Sequence, residues 1–131
     1  MKTKRLSHTY WHTKLDKKLG DWLRETFTEC AMCHRQGYLQ VSHILPKGHY
    51  PHLRYDPINI LPMDGQCHQF KWHASPIESA EWFKKTYPQR EVYLQEAKNL
   101  FIKRNEDYYR NIEKALNKKD IKSLMVLKDK I

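Results

Sequence analysis

Apolar residues recur at helical spacing from Lys14 to about Phe27, where Leu15, Leu19, Trp22 and Leu23 stand at offsets of 4, 7 and 8 along one face with lysines elsewhere. The pattern predicts an amphipathic helix that delivers the chain to Cys30. From Gly37 to Ile44 the period shortens, and "GYLQVSHI" alternates imperfectly, as a short strand would; it is the only good strand signal. "SHILPKGHYPH" is too broken by Pro46, Gly48 and Pro51 to be helical. A second helix is predicted to begin near Gly65, carrying Cys67 and His68 and running toward His73. Ser75 as N-cap, Pro76 at the first helical position and Glu78 three residues after the cap form a capping box, so a helix is expected from Pro76 to about Tyr87. Pro88 breaks and restarts the pattern. Val92, Ala97, Leu100, Phe101, Tyr108, Ile112 and Leu116 then predict one long helix to about Asn117, with a last turn or short helix in "IKSLMVLKDKI". No repeat or linker-like segment divides the 131 residues, so one domain over 1–131 is expected. Its class is α+β, with a core over 14–74 and a helical extension over 75–131.

Charge changes the picture. Lys plus Arg total 24 against 15 Asp plus Glu, a formal charge of +9, and the chain carries 8 tyrosines and 4 tryptophans. A field of that sign draws polyanions, and with so many aromatics a nucleic acid is the expected partner rather than a lipid surface. No run approaches the roughly 18 apolar residues of a membrane span, and "MKTKR" leads into "LSHTYWHTK" rather than an apolar signal core. A cytoplasmic location is therefore expected. The C-terminal half, helical and Tyr-rich, reads either as a packing helix with a solvated face or as a helix laid along phosphates.

Three cysteines, two of them as Cys30-Ala-Met-Cys33, suit a metal or redox chemistry better than a disulfide framework. A redox pair would open a helix in a thioredoxin-like order, whereas this pair sits between a predicted helix and a predicted strand, which favours metal. Zinc wants four ligands. Cys67 is the third candidate; Asp64, three positions earlier, repeats the two-residue gap and is preferred as the fourth, with His34 as its rival. The alternative is three free buried thiols.

Five of the eight histidines fall between Gln40 and His73. A two-Cys, two-His finger built on Cys30, Cys33, His43 and His49 fails. Only nine residues separate Cys33 from His43 where about twelve are wanted, and its histidines would need a helix containing Pro46 and Gly48. The order Cys-x2-Cys, Ser42-His43-Ile44, Asn59 and Cys67-His68 instead resembles the HNH, or ββα-metal, nuclease superfamily. Within it the chain is most similar to the Rap/NinG group of phage recombination nucleases. "KLDKKLGDWLRE", "SHILPKGHYPHLRYDPIN" and "DGQCH" follow that group's order over roughly Lys14 to His73. The chain departs from the group's pattern at Asp64, where the group carries a cysteine, and at His68, where the group carries Asn. Ser42 stands where many HNH enzymes carry a metal-binding Asp or His.

The resemblance implies a small ββα-metal core with a zinc knuckle, preceded by a helix, and a metal-dependent DNA endonuclease. Under it His43 is the general base, Asn59 fixes the His43 backbone or ring, and His68 with His73 holds a catalytic divalent ion, Mg or Mn. Cys30, Cys33, Asp64 and Cys67 hold a structural zinc. Arg54 and Lys47 contact DNA, and Arg54 has the alternative role of pairing with Asp56 to shape the loop. His49 and His52 read as ordinary loop histidines. The five-residue offset between His68 and His73 implies a helix end or local unwinding near Trp72. Branched recombination intermediates are the substrates the resemblance favours, and a homodimer would then supply two active sites. The competing reading is a noncatalytic, zinc-stapled DNA-binding domain. A toxin-type nuclease is disfavoured because no secretion or receptor segment precedes the domain.

Overall fold

The computed structural model describes residues 6–128; the basic stretch at 1–5 and the last three residues, 129–131, lie outside the described residues. Helix α1 spans His8–Thr26. It starts well before Lys14 because Ser7 caps it, its Oγ accepting the Tyr10 N–H at 3.1 Å. Trp11 then extends the apolar stripe, and Trp11, Leu15, Leu19 and Leu23 form a buried column at four-residue spacing. That column packs on the first strand and on the last helix. Trp22 lies outside the column and is half-buried.

A tight turn holding Cys30 and Cys33 follows, closed by a bridge between Glu29 and Gln36. Strand β1, Leu39–His43, pairs antiparallel with β2, Ile60–Asp64, with Leu39 opposite Asp64 and His43 opposite Ile60. Sequence reading passed over β2 for two reasons. "ILPMD" is apolar without alternation, because four of its five residues are buried, and Pro62 reads as a breaker. In a two-stranded ribbon each strand has an outer edge, so Pro62 can face away from its partner and cost no ladder bond.

Between the strands the chain makes two 3-10 turns, Pro51–Leu53 and Pro57–Asn59, each opened by a proline where no N–H is needed. Asp56 anchors them. Buried at 1% exposure, it accepts from the Ile58 N–H at 2.9 Å, the Tyr93 hydroxyl at 2.6 Å and the Val126 N–H at 3.0 Å. Burial raises its pKa, with these donors opposing.

After β2 the chain enters a π-helical segment, Cys67–His73, and then α2, Pro76–Thr86. The capping box at Ser75 is not formed: Pro76 opens the helix, but the Ser75 side chain makes no capping bond. The predicted long helix is two, α3 at Pro88–Ala97 and α4 at Glu106–Asn117. Asn105 divides them. Its side chain accepts the Tyr108 N–H at 2.9 Å, and Glu106 and Asp107 in the first turn suit the helix dipole. Phe101 and Val92, counted toward the helical stripe, are 93% and 62% exposed and belong to no core face. A 3-10 turn at Ile121–Leu124 closes the described chain. Together these elements form a mixed α+β structure with one two-stranded sheet. Among the described residues no helix is long and apolar enough to cross a membrane.

Candidate metal centre and imidazole site

Cys30, Cys33, Asp64 and Cys67 converge, their ligand atoms all lying within 4.8 Å of one another. Three segments bring them together. The Cys30 turn is held on β2 by the Ala31 N–H, which donates to the Pro62 carbonyl at 2.8 Å, and closed by the His34 N–H on the Cys30 carbonyl at 2.9 Å. Asp64 ends β2, and Cys67 opens the π-helical segment. The carboxylate is divided between two tasks. Its Oδ1 accepts the Cys67 N–H at 2.7 Å, while Oδ2 takes the Cys33 thiol at 2.9 Å and so faces the sulfurs.

The electrostatics agree with that division. Bonds from Cys33 and from the Cys67 N–H pull the Asp64 carboxyl down to about 2. Burial pushes the Cys67 thiol up to about 12. Burial also opposes ionisation of Cys30, but backbone N–H groups lead its pKa below the ordinary value. Three sulfurs and one carboxylate oxygen at this spacing suit a tetrahedral ion such as zinc, which would deprotonate the thiols on binding. His34 takes no part: it adopts a left-handed backbone, φ 64°, and its ring meets Glu29 at 3.2 Å.

Six residues of the sequence-derived site surround the strand ends and the π-helical segment. The His43 Nε2–H donates to the Arg54 carbonyl at 2.9 Å. A carbonyl only accepts, so the proton sits on Nε2 and Nδ1 keeps its lone pair. Burial pushes the His43 pKa down to about 4, with the Lys47 and Arg54 charges adding and the Arg54 carbonyl opposing. Burial lowers the His68 pKa and, against burial, pairing with Arg54 lowers that of Asp16; the charge of Lys47, exposed on the loop, adds to both.

Asn59, wholly buried, makes its side-chain hydrogen bonds to backbone and not to the His43 ring. Its Oδ1 accepts the Leu45 N–H at 2.8 Å, and its Nδ2 donates to the Leu45 and Leu53 carbonyls at 3.1 Å each. It thus clamps both ends of the proline-broken loop, one residue from Arg54 and two from His43. Arg54 pairs with Asp16 of α1, not with Asp56, through Nε at 3.0 Å and through a terminal nitrogen. The Tyr55 hydroxyl donates to the same carboxylate at 3.0 Å. Asp16 is the residue sequence reading missed. Its one available signal was an acid set among Lys14, Lys17 and Lys18 in the sequence.

His68 and His73 face each other, their Nε2 atoms 3.0 Å apart. The π-helical geometry makes this possible, because bonding from i to i+5 brings the sixth residue back over the first where an α-helix would rotate it away. On the far side of His68, Nδ1 meets Gln40 Oε1 at 2.8 Å, which puts the proton on Nδ1 and leaves Nε2 free to ligate. Two metal–nitrogen bonds of about 2.0 to 2.1 Å would span the observed gap at an angle of about 90°. The Trp72 indole N–H donates to the His43 carbonyl at 3.2 Å and so ties this segment to β1.

Ser42 is fully buried and its Oγ has no partner, so it lies inside the fold and not in an open coordination sphere. His52 is a buried packing histidine on the Ala97 carbonyl at 2.8 Å, and His49 is exposed. Comparison of the chain with family models, curated proteins and solved structures finds no match.

Proposed function

We propose that the protein is a metal-dependent endonuclease that hydrolyses phosphodiester bonds in DNA. The observation that carries this reading is the His68–His73 pair, two Nε2 atoms 3.0 Å apart with one tautomer set by Gln40. Buried packing histidines satisfy a carbonyl, as His52 does; two rings aimed at each other on an exposed surface suit a shared cation. A divalent ion there, Mg or Mn, would neutralise charge on the nonbridging and leaving oxygens.

His43 Nδ1 then accepts a proton from the attacking water as the water oxygen bonds to phosphorus and the phosphorus–oxygen bond to the leaving strand breaks. Its Nε2–H, fixed on the Arg54 carbonyl, keeps the ring in that tautomer. Asn59 holds the loop that supplies this carbonyl. Lys47 and the +9 charge of the chain draw the DNA backbone. A structural zinc at Cys30, Cys33, Asp64 and Cys67 staples the strand end to the helix start. The order strand, strand, helix is that of an HNH nuclease, and its likeness to the Rap/NinG group favours branched DNA, on which a homodimer would make paired cuts.

A second reading, a zinc-stapled DNA-binding domain without chemistry, draws support from Ser42. That residue is buried, so β1 offers no acidic ligand to the ion. Incubating wild type and His43→Ala with nicked, linear and four-way-junction DNA, with and without Mg or Mn, separates the two. Cleavage by wild type alone, dependent on the ion, is expected. Equal inactivity of both proteins with binding intact would leave the second reading in place.

A further inference from the structure

A cavity of about 260 Å³ opens between the N-terminal ends of α1 and α4, and nothing in the nuclease reading uses it. Ser7, His8 and Trp11 line it from one helix, and Arg104, Asn105 and Glu106 from the other. Both helices are long, 19 and 12 residues, so the positive ends of two macrodipoles converge on one space.

The side chains add to that bias. Arg104 is half-buried and, among the described residues, meets no carboxylate; its guanidinium donates to the Tyr109 hydroxyl at 3.3 Å. The same hydroxyl lies 2.5 Å from His8 Nδ1 and 3.4 Å from His12 Nε2, which leaves His8 Nε2 uncommitted. Trp11 is stacked on Tyr109 with centroids 5.6 Å apart and is 1% exposed, yet its indole N–H finds no acceptor in the protein. A buried donor without a partner is rare enough to call for an acceptor from outside. Glu106 is the one carboxylate in the lining, and it is already engaged by the Leu6 N–H at 3.1 Å and by Arg110 at 3.8 Å.

We propose that this cavity is a receptor for a phosphate group, separate from the imidazole site around His43. The Arg104 fork, the Trp11 N–H and, with the Tyr109 hydroxyl donating to His8 Nδ1, the His8 Nε2–H offer donors to three oxygens of one tetrahedral anion, and the helix ends favour its charge. The phosphate is that of a nucleic-acid strand or a free ion. The strand assignment rests on the nuclease reading: α1 also carries Asp16, which holds Arg54 beside His43, so one helix would serve both contacts.

Calorimetric titration of the full chain with inorganic phosphate, without added divalent cation, tests the receptor itself. Saturable one-to-one binding is expected, weakened at least 10-fold in Arg104→Gln and at least 3-fold in Trp11→Phe, which keeps the ring stack and removes the N–H. His43→Ala should bind phosphate like wild type, so failure of the nuclease reading leaves this result untouched. Absence of saturable binding, or unchanged affinity in Arg104→Gln, overturns the proposal. The source is read from labelled oligonucleotides with and without a 5′-phosphate. A loss in Arg104→Gln confined to the phosphorylated strand assigns a terminal phosphate, an equal loss in both assigns the backbone, and a loss for inorganic phosphate alone assigns the free ion.

Discussion

The thiol cluster and the imidazole pair begin at adjacent residues, Cys67 and His68, yet they are built to opposite plans. Four ligand atoms drawn from the Cys30 turn, the end of β2 and the π-helical segment close the first; Cys30 and Cys67 are fully buried, and Asp64 is already fixed by the Cys67 N–H. The second is two imidazole nitrogens on one segment, with His73 exposed and His68 half-buried. A closed set of four suits an ion that holds chain segments together, whereas an open pair, under the proposed function, would leave positions for water and substrate. The difference is one of strand and helix phase. Cys67 is fully buried at the start of the π-helical turn, and His68, one residue on, is half-exposed against Gln40.

The comparison can be broken by removing one member from each set. The largest effect should follow Cys67→Ser. Structural zinc is worth about 10 to 16 kcal/mol in small zinc modules, so the variant should lose its bound metal and its cooperative melting transition together, as read by metal analysis and thermal denaturation. Chelation of wild type should release about one zinc and lower the melting temperature in the same way. Retention of a normal transition without zinc would detach the cluster from stability.

His68→Ala should leave zinc content and melting nearly unchanged, and both it and His43→Ala should keep the zinc while lowering metal-dependent DNA cleavage by about 10² to 10⁴-fold, the usual worth of a positioned catalytic group. Next, Asn59→Ala strands the Leu45 and Leu53 backbone groups in the interior and should cost about 3 kcal/mol in denaturant unfolding. Its effect on cleavage should exceed its effect on zinc, because the loop it clamps carries the Arg54 carbonyl.

The smallest effect is a pH slope. The His43 pKa lies at about 4 in the folded protein, below its ordinary value of 6.5. The unfolded chain therefore binds the extra proton between those two values, and stability falls as pH drops through that window. The loss is on the order of 3 kcal/mol at most by pH 4. Wild type should show this loss in melting experiments across the window, and His43→Gln should lack that component.

Much of the thiol cluster was legible in the chain. Cys-x2-Cys and Asp-x2-Cys are local spacings, and each alone implies a turn that can aim two donors at one ion. Helices α1 and α2 were legible as well, through the Leu15, Leu19, Leu23 stripe and the Pro76 opening. Other features were not, because their signals are shared with competing structures. β2 hid in an apolar run with a proline, since burial on both faces erases alternation. The break at Asn105 was outweighed by a helical stripe that included Phe101, a residue that turned out to face solvent. Arg54 has an acid two residues away in Asp56, whereas its partner Asp16 lies 38 positions away on α1.

By itself, then, the sequence determined the chemistry that could occur: three thiols and a carboxylate in paired spacings, five imidazoles in about a quarter of the chain, and a strong positive field. Only the tertiary structure decided which of those groups meet. Pairing β1 with β2 brings Asp64 to the Cys30 turn and sets Asn59 at the neck of the loop. Winding Cys67–His73 as a π-helix turns a five-residue offset into two facing nitrogens. The physical reason is that spacing along the chain is encoded locally, but phase and partner are set by burial: Asp56 and Asn59 go inside because the loop's polar backbone must be satisfied there.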